Sequence, residues 1–537
     1  MLKNIFFCLG EIPKNTYLYL LILLLLLPSL LVNLGMEPII DDEGIRGLVS
    51  YEMGLKHDII TPTIGGEYYF NKPPLYNWML LSFFNWFGSA SDFIVRLPTV
   101  VFLLLFAITI FFVGRKVSGT RFGFLNALAF ITCGRLLFYD SYKGLIDTSF
   151  AWLIYMSFII IYFYSLKEKY ARLFIYSYVL IALAFLMKGL PAVIFQAITL
   201  IVWFTHKKIF RKLLSWQHVI GILIFVIMTG SYYFIYYQHH PELLSTLLST
   251  ILNESTKKTV VGMGLMPGIV HVFTFPVEFF YHFFPWTFFF IFLFQKGALK
   301  KLMNNSFYKF SIIVFVFNIL VYWISPDTFP RYLFMFLPLV YAPLISLYLD
   351  NEKENSVLNR YVFGFFVSLT MVVVFGSILG PVLEITRHVN YSVLKGGLLL
   401  VASILSFYGL FKIKTHRMEI MILVMLITRI GFDWFIIPSR YVTSYSEQIG
   451  KEVDIASKLS KNENLYYNQT APGFKTPVLF HLTVERNRIC LFDTTYNKKG
   501  LYVITNEDMI KGHNYTKLAC IHARENEPVY YLVKFND

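Results

Sequence analysis

About thirteen apolar runs, each close to the length of a membrane-spanning helix, dominate this chain. They lie near 16–34, 93–113, 121–139, 147–165, 172–187, 189–205, 216–236, 272–295, 308–325, 331–349, 361–380, 395–412 and 418–437. About twenty apolar residues in a helix cross the hydrocarbon core of a bilayer. Within that core a backbone must satisfy its own hydrogen bonds, which open sheets and loops cannot do. The runs therefore predict a polytopic α-helical membrane protein. A chain that is 56% hydrophobic and only 15% charged falls outside the range of soluble globular proteins. The first run is not followed by a small-x-small cleavage site and reads as a retained helix. The fifth and sixth runs are short and meet at Lys188-Gly189-Leu190-Pro191.

Charge orients these spans. The loops GRKVSGTR (114–121), SLKEKYAR (165–172), THKKIFRK (205–212), QKGALKK (295–301) and KIKTHR (412–417) are basic. The positive-inside rule puts them in the cytoplasm. The loops 40–78, 139–147, 237–271, 325–331 and 380–395, and the turn at Lys188, then face outward. An odd number of spans leaves the N-terminus inside and the C-terminal tail outside. The formal net charge of +14 does not indicate nucleic acid, because many of the basic residues sit in short loops and no stacking-plus-basic motif accompanies them. Arg429 and Asp433 lie four apart within the last run, on one helical face, and read as a buried ion pair holding that helix to the bundle. The open alternative is a functional intramembrane charge.

The chain divides into a membrane domain, 1–437, and a soluble domain, 438–537. In the second, 446–459 and 475–486 read as helices, and 464–468, 489–494, 501–505 and 529–535 as strands. This predicts a small α/β domain on the outer side. It contains no nucleophile elbow, phosphate loop or metal-ligand spacing. The four cysteines, Cys8, Cys133, Cys490 and Cys520, lack zinc spacing. Cys490 and Cys520 share the tail, where a disulfide and two separate thiols are both compatible with the sequence.

The outward loop at 40–78, within a longer interval of 35–92, holds the densest chemistry. Asp41, Asp42 and Glu43 are adjacent, and apolar Ile45, Leu48, Val49 and Met53 follow at helical spacing. A helix over 44–53 would lie on the bilayer surface. One acid at its start serves the helix dipole; three exceed that need. Lys72 precedes Pro73 and Pro74, which restrict its backbone. Such a lysine can hold a phosphate as a point charge, or simply snorkel toward water. Arg135, Asp140, Lys143, Asp147, Lys188 and Arg331 add acids and cations on the same side. A transporter would instead place ionisable groups near span centres, with broken helices in repeated halves.

Asp42-Glu43-Gly44, the stretch 65–70 and Asn71-Lys72-Pro73-Pro74 resemble the first periplasmic loop of the C-superfamily (GT-C) glycosyltransferases. The likeness is to the bacterial branch related to aminoarabinose transferases and protein O-mannosyltransferases. Asp147, Phe185-Leu186-Met187-Lys188-Gly189-Leu190-Pro191, Phe284-Pro285-Trp286 and Pro330-Arg331-Tyr332-Leu333 match further landmarks in the same order, across most of 1–437. The resemblance implies a GT-C-like bundle. It also implies transfer of a hexosyl or pentosyl group, with inversion, from a polyprenyl-phosphate sugar to a lipid A-type glycolipid or another envelope acceptor, with protein as the second acceptor class. The setting is the periplasmic face of a bacterial inner membrane.

In that resemblance Asp42, with Glu43 beside it, is the general base for a hydroxyl acceptor or orients a phosphate acceptor. Asp147 positions the acceptor or a cation. Lys72, Lys188 and Arg331 neutralise the departing polyprenyl phosphate, while Arg46, Arg135, Tyr69 and Tyr76 position substrate. The resemblance fixes no cofactor and leaves a divalent cation open. Two departures stand out: Asn71 replaces an acid common in relatives, and Arg46 is displaced by one position. A polytopic lipid or sugar transporter is the competing class.

Overall fold

The structure is a computed structural model that describes residues 16–243, 245–247, 249–250, 253, 263–444, 446–468, 476–505, 507–522 and 529–536. The chain is a polytopic α-helical membrane protein with a small C-terminal sheet domain. Among the described residues, nine helices are long and apolar enough to cross a membrane, and up to eleven if each of two bent pairs counts as one span. Tyr17–Leu31 and Pro191–His206 are shorter apolar helices.

The bent pairs correct two of the sequence-derived spans. The run at 121–139 is Thr120–Ile131 followed by Gly134–Tyr142 at 49°. The run at 272–295 is Leu265–His282 followed by Trp286–Phe294 at 115°. Proline at 285 has no N–H to continue a helix. The two breaks meet: Gly134 N–H donates to Phe284 O over 2.6 Å, and a Cβ on Gly134 would stand 2.9 Å from that oxygen. Only glycine permits this approach.

Several buried polar groups inside the bundle are paired to neighbouring helices, which offsets the cost of a low dielectric. Ser157 donates to Gln196 Oε1 (2.6 Å), and Gln196 Nε2 donates to Ser177 (2.9 Å). The Trp286 indole donates to Thr132 (3.1 Å). Arg429 and Asp433 form the buried pair expected from their spacing, at 3.0 Å, and Arg429 Nε also donates to Ser29 O in the first helix. A π-helical turn, Phe432–Ile436, carries Asp433. At the end of the bundle bearing the basic loops, Arg121 bridges Glu352 (2.8 Å) and Glu419 (2.7 Å).

The first loop holds two helices, Asp41–Lys56 and Leu75–Phe87, separated by a hairpin of β1 (Thr63–Ile64) and β2 (Glu67–Tyr68). Gly65 and Gly66 turn the hairpin at φ 62° and 82°. The buried Glu52 clamps it, accepting from Thr63 Oγ1 (2.7 Å), Gly65 N (2.6 Å) and Gly66 N (3.2 Å). Trp86 and Phe87 are exposed at the end of the second helix, a pattern suited to a bilayer surface.

The tail forms a five-stranded sheet in the order β4-β3-β5-β7-β6. Its strands are β3 (Leu465–Tyr467), β4 (Leu491–Phe492), β5 (Leu501–Ile504), β6 (Tyr515–Ile521) and β7 (Tyr530–Phe535). β3 runs parallel to β4 and β5, while β7 pairs antiparallel with β5 and β6. The edge strand β6 is absent from the sequence-derived strands, because its apolar run, 518–521, is short and lacks the alternation of a half-buried strand. Helices Ser446–Ser460 and Thr476–Arg486 match the sequence reading, except that residue 475 lies outside the described residues. Cys490 is buried and Cys520 exposed, and both are free, which removes the disulfide alternative; Cys8 lies outside the described residues.

This sheet domain sits against the first loop. A Cβ on Gly44 would come within 2.9 Å of the Pro477 nitrogen, and one on Gly47 within 2.8 Å of the Phe480 ring. Tyr51 donates to Asn487 Oδ1 (2.9 Å), and Phe492 N–H donates to Gly65 O (3.0 Å). The tail and the first loop therefore share one end of the bundle.

Candidate active site

The helix Asp41–Lys56 separates its first acids by 3.6-residue geometry: Asp42 is exposed and Glu43 fully buried. Glu43 accepts from Ile40 N (2.9 Å), Arg96 Nε (2.9 Å), Arg96 Nη2 (3.2 Å) and Gly144 N (2.6 Å). A carboxylate offers about four lone-pair sites, so these bonds saturate it. Burial pushes the Glu43 carboxyl up, but the Arg96 guanidinium outweighs this and holds it below the usual glutamate range. Arg96 also donates to Leu34 O (2.9 Å) and Pro38 O (3.2 Å). It thereby fixes the entry of the chain into the loop helix.

Asp42 points the other way. Arg331 Nη2 donates to Asp42 Oδ2 over 2.8 Å. Arg331 Nε lies 3.1 Å from Asp147 Oδ2, and Lys188 Nζ is paired with Asp147 Oδ1. Asp147 opens the helix Asp147–Leu166, Lys188 ends the helix Tyr170–Lys188, and Arg331 opens the segment after Pro330. Three chain segments thus converge on the loop helix. Lys72 is close enough to act electrostatically on Asp147. Phe329 and Tyr332 wall the cations: Arg331 Cζ lies 4.3 Å from the Phe329 ring centre, and Lys188 Nζ 3.8 Å from that of Tyr332. This is an alternating row of carboxylates and cations, open to solvent at Asp42.

The remaining sequence candidates divide. Arg46 Nη2 donates to Tyr69 OH over 2.8 Å in a buried pair beneath the loop helix. Tyr76 is buried and electrostatically coupled to Glu43, Arg46 and Asp147. Arg135 is engaged locally, 2.7 Å from Asp140 and stacked over Tyr139. The structure therefore brings together Asp42, Asp147, Lys72, Lys188 and Arg331, with Arg46, Tyr69 and Tyr76 behind them. It does not place Arg135 in that row.

Sequence reasoning missed Arg96 and Glu37, and quoted Tyr332 only as part of the landmark Pro330-Arg331-Tyr332-Leu333. Glu37 receives Lys143 (3.0 Å) and Arg440 (2.9 Å), tying the first loop to the helix that leads into the tail. Arg96, a charge inside an apolar run, was the legible signal. Among the described residues no group of three or more His, Cys, Asp or Glu is placed to hold a metal. Both Asp147 oxygens face cationic side chains. These residues do not fit a divalent cation.

The sequence model of a family described as dolichyl-phosphate-mannose-protein mannosyltransferase matches residues 71–233. The structure is similar, over 97% of this chain and 98% of the other, to ArnT from Cupriavidus metallidurans bound to undecaprenyl phosphate, with a TM-score of 0.70 and 17% identity. Against apo ArnT from the same organism the values are 96%, 98%, 0.67 and 15%. The fold is GT-C. In sequence, an uncharacterised protein of Aquifex aeolicus (strain VF5) is 21% identical over 341 residues, covering 63% of this chain and 65% of that protein. The match thus spans just under two thirds of that relative's length. Within the GT-C fold of this chain, Lys72 and Lys188 fall inside the stretch matched by the family model, whereas Asp42 and Arg331 join the site from outside it.

Proposed function

We propose that the protein is a glycosyltransferase that moves a sugar from a polyprenyl-phosphate donor to a cell-envelope acceptor, with inversion at the anomeric carbon. The observation that carries this reading is the row Asp42–Arg331–Asp147–Lys188, with Lys72 nearby. Cations held in place beside a solvent-facing carboxylate suit a reaction that expels a phosphate and activates a nucleophile.

The donor phosphate binds among Lys72, Lys188 and Arg331. Its charge competes with Asp42 for Arg331. Arg331 turning to the phosphate leaves Asp42 free to accept the proton of an acceptor hydroxyl, as a general base. The acceptor oxygen attacks the anomeric carbon as the bond to the phosphate oxygen breaks. The fixed cations stabilise the charge that develops on the leaving phosphate. Asp147, buried between Lys188 and Arg331, holds both cations in position. Glu43, saturated by Arg96 and backbone N–H groups, anchors the helix that presents Asp42. Arg46, on that helix, ties it to Tyr69 just after the hairpin, and the buried Tyr76 lies in the helix that follows.

This reading places the first loop and the sheet domain on the periplasmic face of a bacterial inner membrane, with the N-terminus in the cytoplasm. The basic loops support that orientation. The resemblance to aminoarabinose transferases supports a glycolipid acceptor of lipid A type. Protein is a second acceptor class, supported by the description of the matching family.

The test is a transfer assay in detergent, using a panel of synthetic polyprenyl-phosphate sugars with an envelope lipid extract. Wild type should transfer and Asp42→Asn should not. Absence of transfer across the panel by folded protein would favour lipid or sugar transport instead.

A further inference from the structure

One corner at the basic end of the bundle carries cations that the protein itself does not answer. Elsewhere at that end cations are paired internally: Arg121 bridges Glu352 and Glu419, and Lys301 lies 3.0 Å from Asp350. The turn between the helices Pro191–His206 and Trp216–His239 differs. Its sequence over 205–216, THKKIFRKLLSW, holds Lys207, Lys208, Arg211 and Lys212, all exposed. No Asp or Glu occurs in the chain between Glu168 and Glu242. Lys212 Nζ lies 4.9 Å from the centre of the Tyr170 ring, which joins this turn to the one at 165–172. That second turn adds the exposed Lys169 and Arg172, and Glu168 is the one acid in the two turns. Among the described residues none of these six cations is in an ion pair. Lys207 and Lys212 instead stand over the rings of Trp203 and Tyr170.

Apolar side chains alternate with the cations. Phe210, Leu214 and Trp216 are 48%, 82% and 65% exposed. The helices on either side are apolar, so the turn stands where hydrocarbon meets water. At that depth Phe210, Leu214 and Trp216 can enter the acyl boundary while the Lys and Arg side chains stay at head-group level. Each basic residue near an anionic bilayer surface strengthens binding about fivefold. A zwitterionic head group brings no net charge to match the cations. A soluble polyanion would match them but would leave the three apolar side chains in water.

We propose that the turn 205–216, with Lys169 and Arg172, is a binding site for the head groups of anionic phospholipids. It is separate from the row at Asp42. The helix Asp147–Leu166 runs from that row to the turn at 165–172, and its 20 residues span about 30 Å. The inference does not depend on the glycosyltransferase reading.

The test counts lipids held by the purified full-length protein in detergent micelles containing equal amounts of phosphatidylcholine and phosphatidylglycerol. Native mass spectrometry should show phosphatidylglycerol retained several-fold over phosphatidylcholine. A variant with Lys207→Gln, Lys208→Gly, Arg211→Gln and Lys212→Gln should lose this preference. Lys208 has φ 56°, a left-handed conformation that glycine adopts at least cost, so that change also suits the backbone. If the fourfold variant fails to fold, Lys208→Gly with Arg211→Gln takes its place, and the preference should fall by more than half. A variant with Lys296→Gln, Lys300→Gln, Lys412→Gln and Lys414→Gln, four exposed lysines of two other basic loops, should keep the preference. Equal retention of the two lipids, a preference that survives the first variant, or an equal loss in the control variant would each overturn the proposal. Inorganic phosphate and a single-stranded RNA oligonucleotide should leave the bound lipid in place. Displacement by either would assign the corner to a soluble anion and overturn the lipid site.

Discussion

Arg331 Nη2 donates to Asp42 Oδ2 over 2.8 Å, joining two residues 289 positions apart. The bond links the first loop to the segment after Pro330. It also places Arg331 between Asp42 and Asp147, which have very different exposures: the Asp42 side chain is 55% exposed and that of Asp147 5%. The exposed carboxylate is available to substrate, while the buried one is committed to its cations.

Lys188→Ala should weaken donor binding. A hydrogen bond to a charged group contributes about 1.5–3 kcal/mol, roughly ten- to a hundredfold in affinity. Titration with undecaprenyl phosphate reads this directly. Asp42→Asn should not weaken that affinity, and should tighten it by releasing Arg331 to the phosphate, while lowering turnover about 10²–10⁴-fold. If both substitutions affected binding and turnover equally, the division of labour between the two residues would be wrong.

Arg96→Ala should destabilise the fold by about 3–5 kcal/mol, because it strands the fully buried Glu43 carboxylate. Thermal melting in detergent measures this. Glu43→Gln should lower the melting temperature along with activity. A Glu43→Gln protein that melts normally but has lost transfer would instead put Glu43 in contact with substrate.

Glu37 gives the first loop an acid limit. Burial pushes its carboxyl up, but Lys143 and Arg440 outweigh this and hold it below the usual glutamate value. A lowered pKa in the folded state means the stabilisation is complete above the unfolded value, about 4.3. It is lost as the pH falls below that toward the folded value. Wild type should therefore lose melting temperature below about pH 4.3 more steeply than Glu37→Gln. Parallel curves would show that Glu37 does not carry this dependence.

Gly47→Val should separate the sheet domain from the loop helix, because the Phe480 ring occupies the space its side chain needs. Overpacking of this kind costs about 1–3 kcal/mol. Limited proteolysis should then cut the tail faster, with transfer falling as the loop helix loses its support. Unchanged proteolysis would show that the ring yields without parting the two surfaces.

The helices of the bundle were legible because a bilayer leaves the backbone few options, and each apolar run reports that constraint locally. The breaks at Cys133-Gly134 and Phe284-Pro285 were less legible, since the contact of Gly134 with Phe284 O joins residues from different runs. Strand β6 was less legible because its apolar run, 518–521, is only four residues long and shows no polar–apolar alternation. The members of the charge row were visible as outward acids and cations, but their partners were not. Nothing in the local sequence distinguishes Glu43, locked by Arg96, from Asp42, paired with Arg331 at the surface.

The sequence alone thus determined the membrane architecture, its predicted orientation, and the set of ionisable residues gathered in the outward loops, because these follow from composition, periodicity and loop charge. Tertiary structure alone decided which of these charges are buried and with whom they pair. Burial and partnership are set by residues tens to hundreds of positions away, and they divide Glu43 from Asp42 and commit Asp147 to Lys188 and Arg331.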